Sequence, residues 1–341
     1  MGKHSKLYDV VLIRSFAIIM VVAFHAYGMM YANHFPSMTD VYHEMYYNIN
    51  QLVLKFRMPL FIFISGYLFA YLEDVKSKYP TFMELLKNKF KRLIVPYFIF
   101  GLIYMLTTNS FSWRNLLSGG VSHLWFITML FGCFILTRVL KLCYFTQNKL
   151  LIALVLLVSF TLLLYPEFRC YFLGIQTLHM WYFWFFLGYV VSPHKEWMYK
   201  LLSNRFVSCG LVLVWILGTL YTVYCVGTDD YRTIPGNLSH LCIVLLIWYA
   251  INFIIKKYTG KWLEGPVFKE LNRTSYGIFV LHNWLQLFMI SKTAQHLFHL
   301  DVLAENHVVL FPLFFFLLSL LFSYVGAVLM LKTKVGRFLI G

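Results

Sequence analysis

The chain of 341 residues is 60% hydrophobic and 20% aromatic, with only 13% charged residues and a mean hydropathy of +0.69. A water-soluble domain of this size needs far more polar surface, so that class is excluded. The net charge of +15 does not point to nucleic acid, because the cations fall in short segments between apolar stretches and form no basic domain.

Taken in chain order, ten apolar stretches predict membrane-crossing helices at about 9–31, 52–72, 93–109, 123–142, 149–166, 171–191, 206–226, 238–256, 274–291 and 308–331. Each is long enough to cross, or nearly cross, a hydrocarbon core of roughly 30 Å. The expected fold is all-α, a polytopic bundle of about ten helices forming one membrane-embedded domain over residues 1–341. With the N-terminus inside, 22 of the 29 Lys and Arg fall in inner segments and only Arg114, Arg169, Arg232 and Lys292 in outer loops. That alternation follows the positive-inside rule and places both termini in the cytoplasm. The first stretch is too long, and interrupted by Arg14, to read as a cleaved signal. The six cysteines lie in or beside spans without a CxxC pair and read as packing residues.

The first stretch carries two ionisable groups, Arg14 and His25. An ionisable side chain in hydrocarbon costs roughly 2.5–3.5 kcal/mol on insertion scales, so its retention demands a reason. Eleven residues are almost three helical turns, so both side chains leave one face, separated by a rise of about 16 Å. Arg14 falls in the inner third and His25 in the outer half. One face therefore offers a fixed cation and, further out, a proton acceptor. The plainer alternative is an arginine reaching the inner headgroups and a hydrogen-bonded packing histidine.

Further motifs follow in order. The second stretch reads FRMPLFIFISGYLFAY, the third begins KNKFKRLIVPYFIFG, the fourth opens SHLWFITMLFG, and the ninth contains SYGIFVLH. With R-x10-H in the first, these resemble membrane-bound acyltransferase family 3, in particular its fucose 4-O-acetylase-like members. The resemblance runs from the N-terminus to the ninth stretch. It implies transfer of an acyl group, commonly acetyl from acetyl-CoA, to a hydroxyl of a cell-envelope or capsular glycan, or of a lipid-linked glycan, in the cytoplasmic (inner) membrane. His25 matches the family's catalytic base and Arg14 its companion.

The family's R-x-x-R is met by Lys89 and Arg92. Lysine keeps the charge but lacks the bidentate fork, so Lys89 is the weaker phosphate clamp. The run Lys87, Lys89, Lys91, Arg92 suits the phosphates of CoA and equally suits inner-face anchoring. Arg57 stands where such relatives often place histidine before Met-Pro-Leu. It falls near the depth of His25, as an acceptor contact, an oxyanion stabiliser or an interfacial side chain. His123 and Trp125 open the fourth stretch on the outer side, as acceptor-entry residues or part of an aromatic belt. His282 lies about 12 Å into the ninth, facing the same cavity or packed in the core. His179 and the aromatic run 181–186 read as packing.

No HExxH occurs and no carboxylate shares a span interior with His25, so no metal site is expected. No cofactor is expected beyond the acyl-CoA donor substrate, and no nucleic acid partner. The partners are the donor, the glycan acceptor and the bilayer. Direct transfer with His25 as general base is the simplest chemistry, with an acyl-histidine relay as the alternative. The rival function is an exporter of polysaccharide or glycolipid built on the same fold, since polar residues facing a bundle interior also suit a permeation path.

Overall fold

A computed structural model describes residues 8–31, 35, 40–52, 55–165, 170–226, 233–258 and 265–341. Arg169, Arg232, Lys3, Lys6, Lys261 and the start of the second predicted stretch at Val53 and Leu54 lie outside the described residues.

Every regular element among them is helical. The chain forms α1 (Tyr8–Tyr31), α2 (Asp40–Leu52), α3 (Arg57–Asp74), α4 (Phe82–Lys89), α5 (Val95–Thr107), α6 (Trp113–Ser118) and α7 (Trp125–Leu142). It continues through α8 (Lys149–Leu162), α9 (Ile175–Val191), α10 (Lys195–Leu202), α11 (Arg205–Tyr221) and α12 (Ile234–Lys257). The last elements are α13 (Pro266–Ile290), α14 (Lys292–Phe298), α15 (Leu300–Asn306), α16 (Leu310–Lys332) and α17 (Lys334–Ile340).

Six helical segments among the described residues are long and apolar enough to cross a membrane: Tyr8–Met30, Phe82–Thr107, Trp113–Leu142, Arg205–Cys225, Ile234–Lys257 and Leu310–Lys332. The other four expected stretches are helical as well but meet that standard less well. Helices α8 and α9 have 14 and 17 residues. Helix α3 carries Arg57, Glu73 and Asp74, and α13 carries His282, Asn283 and Gln286. Polar groups thus lower the hydropathy of α3 and α13.

The third predicted stretch starts eleven residues earlier than expected. Thr81 caps α4, its hydroxyl accepting from the Glu84 backbone N–H at 3.2 Å. Thr81 and Glu84 stand in the T-x-x-E order of a capping box, a local start signal that the hydropathy pattern masks. Between α4 and α5 the backbone widens into a π-helical turn, Phe90–Ile94, in which the Val95 N–H bonds the Phe90 carbonyl. Pro96 follows and has no N–H to give. Similarly, α13 begins at Pro266, an N1 proline, eight residues ahead of the expected start.

The described residues cluster in two compact units: Met1–Met58 with Val223–Thr228 and Ile254–Gly341, and Pro59–Thr222 with Asp229–Phe253. In the first, α1, α13 and α16 pack against one another, and α2 packs on α1. Ala26, Met30, Phe35, Tyr46, Met289, Phe311 and Phe315 form a buried cluster there.

In the second unit, α3 and α9 meet at a pair of glycines. A Cβ on Gly66 would collide with the Phe185 carbonyl, and one on Gly188 with the Phe63 carbonyl. Lipid tails are as apolar as leucine, so close backbone approach and dispersion hold such helices together. Gly66→Ala and Gly188→Ala should each cost about 1–3 kcal/mol through overpacking. Once one methyl has parted the helices, the second should cost less. Thermal unfolding of the two single variants and the double variant in detergent measures that coupling.

Near the end of α3, Glu73 is buried and salt-bridged to the buried Arg138 of α7 at 2.9 Å. Arg138 Nη2 also donates to the carbonyls of Tyr79 and Pro80, each at 3.2 Å. Lys141 reaches Glu73 at 3.3 Å and Asp74 at 2.7 Å, and the Tyr189 hydroxyl lies 3.5 Å from Glu73 Oε2. One carboxylate thereby ties α3, α7, α9 and the 75–81 loop together.

Candidate active site

In the first unit the polar groups of α1 are met by α13. Arg14 Nη2 donates to the Asn272 backbone carbonyl at 3.0 Å and also to the Asn272 side-chain oxygen. No carboxylate among the described residues neutralises Arg14. Further along the same face, the His25 and His282 rings lie 5.2 Å apart, inclined at 43°. The two contacts are 11 residues apart on α1 and 10 on α13, so the helices run parallel and form two rungs of one ladder. Its periodicity is the helical repeat expected from Arg14 and His25, repeated on the partner helix.

His282 is fully buried. Its Nδ1 stands 2.7 Å from the Phe279 carbonyl. A carbonyl only accepts, so Nδ1 carries the proton and, in the neutral ring, Nε2 holds the lone pair. His25 is half-buried and its ring sits edge-on to Phe24 at 5.4 Å.

Three further polar side chains gather on the turn of α1 that leads into His25. Arg57 lays its guanidinium over the Phe24 ring, 3.1 Å from the centroid. Such stacking on an aromatic face helps to hold a cation in apolar surroundings. Asn50 of α2 donates to the Phe24 carbonyl at 3.2 Å, and Gln286 of α13 donates to the Val22 carbonyl at 3.4 Å. Both amide side chains are fully buried. An apolar cleft of about 270 Å³ lies beside the ladder, lined on α1 by Ser15, Ile18 and Ile19 and on α13 by Leu271, Ser275 and Ile278. All but Leu271, which immediately precedes Asn272, fall between the two rungs.

The other candidates belong to the second unit. His123 is buried in a short 3₁₀ turn with its ring 6.0 Å from Tyr104, and Trp125 packs on Trp181 at 5.4 Å. Lys89 directs its ammonium at aromatic faces, with Phe134 at 3.4 Å, Tyr79 at 5.4 Å and Phe69 at 5.7 Å. Arg92, three residues on, is exposed, as are Lys87 and Lys91. The π-helical turn explains the divergence of Lys89 and Arg92. Its i→i+5 bonds wind more slowly, so three residues fall short of a full turn. Beside them Lys78, in the loop before α4, has its pKa held below the usual lysine range by burial and then by the Arg92 charge. A cation pressed by like charge marks a surface with positive charge in surplus. The described cysteines form no disulfide, and His179 with residues 181–186 is buried in helix packing.

Asn50, Asn272, Gln286 and the Glu73–Arg138 pair were not singled out by their sequence pattern. Isolated amides carry no motif, although Gln286 follows His282 by one turn and shares its face. Asn272 stands ten residues before His282, one fewer than the eleven that drew notice on α1.

Apolar helices of membrane-crossing length, enclosing a constellation of arginine, histidine and amide side chains, define an integral membrane protein with an ionisable site inside it. Residues 7–330 match the acyltransferase domain of the acyltransferase 3 family, and the chain belongs to that family. It is a membrane acyltransferase. No curated protein and no solved structure matches the chain.

Proposed function

We propose that the protein moves an acetyl group from acetyl-CoA to a hydroxyl of a cell-envelope or capsular glycan, as a fucose 4-O-acetylase-like member of its family. On this reading it sits in the inner membrane with both termini in the cytoplasm. The observation that carries the reading is the two-rung ladder of Arg14 on Asn272 and His25 beside His282.

His25 takes the proton from the acceptor hydroxyl, and the oxygen attacks the thioester carbonyl. The C–S bond breaks, and the CoA thiolate leaves with the proton that the imidazolium returns. Arg57, held over Phe24, is positioned to stabilise the oxyanion that forms on the way. Arg14 has no carboxylate partner among the described residues and so keeps its charge for the donor. The rise between the rungs, about 15–16 Å, is comparable to an extended pantetheine arm, and the apolar cleft beside the ladder gives that arm a course. No observation favours the export reading over transfer in a chain of this family.

For the donor phosphates, the exposed Arg92 with Lys78 is a better clamp than Lys89, whose ammonium faces aromatic rings. Arg92→Gln should weaken acetyl-CoA binding roughly tenfold and flatten its salt dependence, since the contact is Coulombic. Lys89→Gln should instead lower stability by about 0.5–2 kcal/mol, the scale of a cation–π contact, with little change in donor affinity. Calorimetric titration of acetyl-CoA at two salt concentrations separates the two. The function itself is tested by mass spectrometry of the surface glycan with and without the protein: loss of acetyl groups supports it, and an unchanged acetyl content refutes it.

A further inference from the structure

The amide nitrogens of Asn50 and Gln286 face the carbonyls of Phe24 and Val22. Carbonyls only accept, which fixes the orientation of both amides. Their oxygens, Asn50 Oδ1 and Gln286 Oε1, are therefore the atoms not engaged with those carbonyls, and both are buried without a hydrogen-bond donor among the described residues. A buried acceptor lacking a donor is costly and needs an explanation. The bonds made by the nitrogens do not supply one. Val22 and Phe24 lie in the middle of α1, where their carbonyls already serve the helix, so a second donor adds little. Two apolar side chains would pack there at lower cost. The two amides come from different helices, α2 and α13, yet grip the same turn of α1, the one that leads into His25.

We infer that Asn50 and Gln286 form a hydroxyl-recognising subsite, whose amide oxygens accept hydrogen bonds from two hydroxyls of a polyhydroxylated acceptor held against His25. This rests on the proposed transfer to a hydroxyl. The chemistry selects the class. Both free atoms are acceptors, so the ligand must present donors, and a sugar or polyol offers several hydroxyls on neighbouring carbons. A simple alcohol or a lipid chain would leave at least one oxygen unmet. Sites built to bond a hydroxyl discriminate strongly against ligands lacking it, because the buried group is then left unpaired.

The test uses the full chain in lipid nanodiscs, read by thermal unfolding through tryptophan fluorescence. The probes are methyl glycosides of hexoses and 6-deoxyhexoses at millimolar concentration, and acetyl-CoA separately. The variants are Asn50→Leu, Gln286→Met and the double substitution, all similar in size and compatible with lipid. At least one glycoside should stabilise the native protein. The dissociation constant should rise roughly three- to tenfold for each oxygen removed, and roughly 10–100-fold in the double variant. The variants should unfold at the same or a higher temperature without ligand, and acetyl-CoA should stabilise all of them equally. Absence of stabilisation by every glycoside overturns the subsite, as does an unchanged glycoside affinity in the double variant. A lower unfolding temperature of the ligand-free variants also overturns it, because the amides would then be structural. Failure of acetyl-CoA to stabilise even the native protein strikes the donor reading instead and leaves the glycoside result standing.

Discussion

His25→Ala should abolish acyl transfer while leaving the protein folded and inserted. General base catalysis contributes ~10²–10⁴-fold, or about 3–5 kcal/mol of barrier, so the loss is large in any assay of thiol release from acetyl-CoA. Alanine is apolar and a good helix former, and His25 is only half-buried, so α1 should persist. The neighbouring contacts sharpen the result. Arg14→Ala should chiefly raise the acetyl-CoA concentration needed, with a smaller effect at saturation, because the proposed role of Arg14 is to bind the donor and not to move a proton. A His25→Ala protein that keeps most of its transferase activity sinks the assignment of the base. Loss of the protein from the membrane would show that the His25–His282 contact holds α1 to α13.

Glu73→Leu should destabilise the second unit by about 3–5 kcal/mol. The carboxylate is the partner of Arg138, which is itself buried, and it also receives Lys141 and lies near the Tyr189 hydroxyl. Removing one member of a buried ion pair leaves an uncompensated charge in low dielectric, the costliest kind of single change. Arg138 retains its bonds to the Tyr79 and Pro80 carbonyls, which places the effect at the upper end only if those bonds break too. The double variant Glu73→Leu with Arg138→Met removes both charges and should recover most of the loss. Thermal unfolding of the two single variants and the pair measures it. A Glu73→Leu protein as stable as the native one would show that water or lipid headgroups already reach Arg138.

These two results bear on different parts of the sequence. His25 announces itself through an imidazole in an apolar run, a strong signal because hydrocarbon tolerates few such groups. Glu73 and Asp74 stand where α3 ends, and charges at a helix end are common at a membrane surface. Nothing local distinguishes a buried anchor there from a solvated pair. Lys89 illustrates the converse. Its place in a basic run matched a phosphate clamp, but Phe69 from α3 and Phe134 from α7 bring aromatic faces to its ammonium. Residues about twenty and forty-five positions away decide what its ammonium faces.

By itself the sequence determined the helical membrane class, the placement of the apolar stretches and the shared face of Arg14 and His25. All three are local, set by the cost of burying backbone and charge in lipid and by a fixed repeat of 3.6 residues. Only the tertiary structure decided that this face meets α13, that Asn272 and His282 stand at matching heights, and that Asn50 and Gln286 close on the turn before His25. Hydropathy requires a polar face to be hidden but is blind to which neighbour hides it. That choice is made by small residues, cavities and hydrogen bonds between segments as much as 264 residues apart.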